Sequence, residues 1–209
     1  MKSKNVFVLA AVVIVAAIIF YSFQGDSDNK SYVKKINQQR DQKDHYMRSS
    51  RESPFYGNES GFRGLNYYPV DPKYRINASL TVIENKRSVI LATSDGKEKR
   101  YLEYAYAEFD LDGIHNKLLI LEIMEDGPYR GTLFLAFADE TSAVETYGAG
   151  RYFDIKKVPG SSFITLDFNE AYNPYCAYND DFSCPFPPRE NLMQVAIRAG
   201  EKNYKNDEN

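Results

Sequence analysis

Residues 145–202 hold the chain's densest supply of side chains able to do chemistry. They read Glu145-Thr-Tyr-Gly-Ala-Gly-Arg-Tyr-Phe-Asp154, then Leu166-Asp-Phe-Asn-Glu-Ala-Tyr-Asn-Pro-Tyr-Cys-Ala-Tyr178, then Cys184-Pro-Phe-Pro-Pro-Arg-Glu-Asn191, then Ala199-Gly-Glu-Lys202. Two uses of these residues are open. In a ligand pocket, Arg151 holds an anionic group through its planar fork. Asp154, Asp167, Asn169 and Asn173 orient polar groups there, and Tyr172 and Tyr178 serve as walls. Within such a pocket Asp154 or Asp167 is the choice for general acid/base work. In a structural role, Arg151 and Asp167 form a buried pair that pins a long loop. Asn169 and Asn173 then satisfy loop backbone, and Pro185, Pro187 and Pro188 stiffen it.

Cys176 and Cys184 are the only cysteines. In an oxidising compartment a disulfide between them is the default. Closing that nine-residue loop contributes about 2.5 kcal/mol by the chain-entropy estimate. Free thiols and a metal pair are the alternatives. Zinc wants further Cys or His, and the two histidines, His45 and His115, stand in other segments. No metal and no cofactor are therefore expected. The scarcity of His also argues against Ser-His-Asp and Cys-His nucleophiles. Gly148-Ala149-Gly150-Arg151 lacks the residues of a phosphate loop. Asn179-Asp180-Asp181 lacks the spacing and closing acid of a calcium loop.

The elements that must position these residues are mostly strands. Tyr74, Ile76, Ala78, Leu80 and Val82 alternate with polar residues, the mark of a half-buried strand. Arg87–Thr93, Lys99–Phe109, Lys117–Ile123, Gly131–Ala138, Arg151–Ile155, Ser162–Phe168 and Leu192–Ala199 complete about eight strands. Asp95-Gly96, Asp112-Gly113 and Gly127-Pro128 supply turns between them. Asp139–Tyr147 reads as a turn or two of helix with Thr141 at its N-cap. Short strands without alternating helices predict an antiparallel β-sandwich or barrel.

Upstream, residues 6–23 carry no charge, and 12 of these 18 are Val, Ile, Leu or Phe. A helix here spans roughly 27 Å, close to a bilayer core. Those residues favour insertion by about -4 to -7 kcal/mol. Lys2 and Lys4 precede the segment, so the basic end is expected inside and the remainder exported. A cleaved signal peptide is the competing reading, but bulky Ile18–Phe23 stands where small residues are wanted. The expected organisation is a signal anchor over 1–24, a partly helical stalk over 25–53, an all-β domain over 54–203 and a frayed tail over 204–209. Beyond residue 24 the chain keeps 24 Lys and Arg against 29 Asp and Glu. That acidic balance argues against nucleic acid as a partner; the membrane and a small polar ligand remain, and no protein partner is indicated.

These motifs, with Arg40-Asp41-Gln42-Lys43-Asp44 and Tyr68-Pro69-Val70-Asp71-Pro72, make the chain resemble the bacterial and archaeal proteins grouped as domain of unknown function 1684. The resemblance runs to Gly200-Glu201-Lys202, and its most specific stretch is Glu145 to Asn191. Ala149 departs from the family's Tyr-Gly-Gly-Gly-Arg-Tyr pattern. The resemblance implies no activity and carries over no catalytic residue. The residues themselves point to a membrane-tethered extracytoplasmic module that binds a small polar or anionic ligand. The alternatives are an enzyme using carboxylates and an envelope scaffold without small ligand.

Overall fold

A computed structural model describes residues 28–157 and 159–204. The expected signal anchor at residues 6–23 lies outside them. Among the described residues no helix is long and apolar enough to cross a membrane. One helix, α1, covers residues 28–49, longer than the weak stripe in the stalk indicates. The chain divides into two compact units, Met1–Asp41 and Gln42–Asn209.

The second unit is mainly β, a curled antiparallel sheet that forms a half-barrel. Its strands are β1 (Arg75–Val82), β2 (Ser88–Ala92), β3 (Glu98–Leu111), β4 (Ile114–Ile123), β5 (Leu133–Phe137), β6 (Arg151–Ile155) and β7 (Phe163–Asp167). Their order is β6-β5-β4-β3-β1-β7, with β2 also paired to β3. Every ladder is antiparallel. Asp112-Gly113 closes the β3–β4 hairpin, pairing Leu111 with Ile114. A bulge between Glu103 and Ala105 on β3 shifts the register against β4. Such an insertion swaps the faces beyond it. Ala105, Ala107 and Phe109 accordingly join the main core, while Tyr101 packs with Leu91, Leu119 and Leu121 on the other side. The sequence places Tyr101 on one face with the other three, and the bulge corrects that.

The half-barrel is joined across its mouth by backbone. Tyr152 in β6 exchanges two hydrogen bonds with Tyr172, in the chain that follows β7. Outside β5 and β6 the loop 174–188 covers Ala136 and Tyr152 with Cys176 and Cys184.

Two expected elements are absent among the described residues. Asp139–Tyr147 is turns rather than helix. Asp139, not Thr141, does the capping: its Oδ1 accepts from Thr141 N–H at 2.8 Å and Thr141 Oγ1 at 2.6 Å. Leu192–Ala199 alternates as a strand should, with Met193, Val195, Ile197 and Ala199 buried, yet it joins no ladder. Leu192, Met193 and Val195 bond to backbone groups, while Ile197 and Ala199 bond to the side chains of Arg151 and Asp139.

Candidate functional site

Arg151 ends the tight turn at Gly148–Gly150. Gly150 has φ +87, and a Cβ there would stand 2.5 Å from the Phe137 carbonyl oxygen. Ala149, the departure from the family pattern, needs no such conformation. Arg151 then points inward and is fully buried. Nη2 meets Asp139 Oδ2 at 2.7 Å and donates to the Ile197 carbonyl at 2.9 Å; Nη1 donates to the carbonyls of Ala199 and Glu201. Those carbonyls lie two residues apart along an extended segment, so one guanidinium replaces a neighbouring strand. Asp139 Oδ1 accepts the Ile197 N–H at 3.2 Å. Gly200, with φ +74, lets this segment pass the carbonyls of Phe168 and Ala171 where a Cβ would approach to 2.6 Å.

Arg151 is therefore sealed inside the fold, with Nε alone lacking a hydrogen-bond partner among the described residues. Both side chains of the Arg151–Asp139 pair are 0% exposed. The expected Arg151–Asp167 pair is also corrected: Asp167 lies 4.0 Å from Arg75. Asp167 Oδ1 accepts the N–H of Asn169, and Asn169 Nδ2 donates to the Asp71 carbonyl at 2.8 Å. Asp167 and Asn169 fasten the segment at Asp71 to the end of β7.

The other four candidates meet around a buried carboxylate. Glu201 is fully buried. It accepts from Asn173 N–H at 3.2 Å, Asn173 Nδ2 at 3.0 Å and the Tyr178 hydroxyl. Lys43, near the end of α1, brings its ammonium to 3.3 Å from Glu201 Oε2. The same ammonium lies 4.3 Å from the centre of the Tyr172 ring. The Tyr172 hydroxyl donates to exposed Asp154 at 2.8 Å. Lys43 keeps 27% of its side chain exposed against 1% for Glu201, so the cluster is closed below and open at the lysine. Asn173 Oδ1 is buried without a hydrogen-bond partner.

The electrostatics follow from that half-open geometry. Burial pulls the Lys43 pKa below its ordinary 10.5, and Glu201 opposes the shift. Burial raises Tyr172, with Asp154 adding to it. Burial raises Tyr178 well above 10, and the Glu201 carboxylate adds to that. Perturbed groups gathered at an opening mark a functional site more often than perturbed groups sealed inside. Lys43 and Glu201 were not among the sequence candidates. They are 158 residues apart, and their only signal was that each stands in a motif of the family resemblance, Arg40–Asp44 and Gly200–Lys202.

Cys176 and Cys184 stand in this structure as free thiols. They are adjacent: Cys176 N–H donates to Cys184 Sγ at 3.3 Å. Among the described residues no group of His, Cys, Asp or Glu could hold a metal ion.

The molecule is thus a small antiparallel half-barrel domain whose C-terminal segment is locked by one sealed ion pair and edged by a second, partly open one. It belongs to the family described as Protein of unknown function (DUF1684), whose model matches residues 60–202. The match holds Asp154, Tyr172, Asn173, Tyr178 and Glu201, while Lys43 precedes it. Among solved structures, the chain is similar to the solution NMR structure of an uncharacterised protein of Haloarcula marismortui. The two share 39% identity with a TM-score of 0.66, over 88% of this chain and all of that one. A search of curated proteins found no match.

Proposed function

We propose that this protein is a membrane-tethered extracytoplasmic module that binds a small polar ligand through an anionic group at Lys43. The observation that carries the reading is the half-open lysine. Its ammonium sits against Glu201 and the Tyr172 ring with 27% of the side chain exposed. An ammonium already stripped of much of its water gains more from an anion than a fully hydrated one does. Asp154 stands beside it through Tyr172, an acceptor for a hydroxyl or amino group of the same ligand. The uncharged run at residues 6–23, with Lys2 and Lys4 before it, supports the tether and the exported setting.

The test uses the full chain in detergent. Melting is followed with succinate, glutamate and inorganic phosphate, and native mass spectrometry looks for any retained small molecule. A ligand at one hundred times its Kd adds about 2.7 kcal/mol. Lys43→Gln should remove that gain and Asp167→Asn should keep it. Unchanged melting across the three probes, with a bare mass, would retire the binding reading. A C-terminal reporter active only inside the cell would retire the tether.

A further inference from the structure

The loop that supplies Tyr172, Asn173 and Tyr178 also holds both cysteines. Cys176 lies in the short 3-10 turn Tyr175–Ala177. Cys184 is anchored on the β2–β3 turn. Its carbonyl accepts from Ser94 N–H at 2.9 Å, and its N–H donates to Ser94 Oγ at 3.1 Å. Ser183 Oγ adds a bond of 2.7 Å to Asp95. Backbone and side chain therefore hold the two cysteines together, with Cys176 N–H on Cys184 Sγ at 3.3 Å. The Tyr147 hydroxyl stands 3.6 Å from Cys176 Sγ. The pair packs on Ala136 and Tyr152, with Phe134 and Phe182 beside it. Exposures of 7% and 9% leave it just below the surface.

We infer that Cys176 and Cys184 are a reversible thiol–disulfide couple, with Cys176 as the attacking sulfur and a low-molecular-weight disulfide as oxidant. Two cysteines brought into one buried cluster, with the backbone of one on the sulfur of the other, need little movement to bridge. The surroundings distinguish them. Hydrogen bonds from Cys184 and Tyr147 favour the Cys176 thiolate, lowering its pKa to about 6 against the burial that opposes it. Cys184 is shifted upward by its bond to Cys176 and by burial. A lowered thiol exposed to a disulfide is the one that reacts.

The Cys176 thiolate attacks one sulfur of the small disulfide. That S–S bond breaks, and one thiolate leaves. The Cys184 thiol gives up its proton and its sulfur attacks Cys176, closing the protein disulfide and releasing the second small thiolate. Two electrons and the Cys184 proton pass from the protein to the oxidant, which ends as two thiols once its other thiolate takes a proton from water. None of this requires a ligand at Lys43, so the couple stands or falls apart from the binding reading.

The test titrates the reduced full chain with oxidised glutathione and reads intact mass and maleimide-accessible thiols. Wild type should lose both thiols together and carry no adduct; dithiothreitol should restore them. Cys184→Ser should stop at one glutathione adduct on Cys176, and Cys176→Ser should take little. In Cys184→Ser, iodoacetamide alkylation should reach half its maximal rate at least about one pH unit below the ordinary thiol value of roughly 8.5. Circular dichroism checks that each variant is folded, and the wild-type mass needs no variant. Two thiols that stay free at every glutathione ratio, or equal adducts on both single variants, would overturn the inference.

Discussion

Arg151–Asp139 and Lys43–Glu201 both fasten residues 197–202 to the rest of the domain, yet they are built differently. The first has no exposed side-chain surface, and its cation directs Nη1 and Nη2 to one carboxylate and three carbonyls, with Nε buried and without a partner among the described residues. The second buries its acid and leaves its base partly in water. In the sequence all four are simply charged residues, and only the geometry separates the sealed pair from the partly exposed one.

The largest expected effect breaks the first pair. Arg151→Met leaves Asp139 charged and buried, with three carbonyls short of a donor. It should cost about 3–5 kcal/mol in urea unfolding, the usual result of stranding one partner. A cost under about 1 kcal/mol would erase the distinction drawn between the two pairs. Glu201→Gln keeps the shape of the second pair and loses its charge. It should cost about 1–3 kcal/mol, the scale of hydrogen bonds to a charged group.

The smallest effect sharpens the contrast through pH. The unfolded chain keeps the Lys43 proton up to about pH 10.5, and the folded chain releases it earlier. Between those two values unfolding takes up a proton, so folding stability gains with rising pH. The stability of wild type minus that of Lys43→Gln should therefore climb across that window. Near pH 7 the variant should differ by no more than about 1 kcal/mol, as an ion pair with an exposed partner does. A flat difference up to pH 10.5 would mean that Lys43 is not held as described.

Much of the sheet was legible. Alternation located β1 through β7 to within a few residues of their ends, and the Asp112-Gly113 turn was read from its residue types. The same alternation over Leu192–Ala199 misled, because it reports burial on one side and not who supplies the hydrogen bonds. Arg151 and Asp139 supply those of Ile197 and Ala199, and no local pattern announces a side chain standing in for a strand. The site was half legible. Asp154, Tyr172, Asn173 and Tyr178 share a neighbourhood in the sequence and share one in space. Asp167 and Asn169 share the sequence neighbourhood but turn toward Asp71 and Arg75. Lys43 was invisible because helical propensity and stalk composition explain a lysine there without any partner.

Glu201 gathers Lys43, Asn173 and Tyr178, and the Arg151 guanidinium reaches the same residue's carbonyl. A chain emerging from the ribosome cannot complete either lock until residue 201 is free to fold back. Until then the sheet lacks its inner covering from Met193 to Ala199. The domain therefore gains its full resistance to unfolding only once that segment has been made.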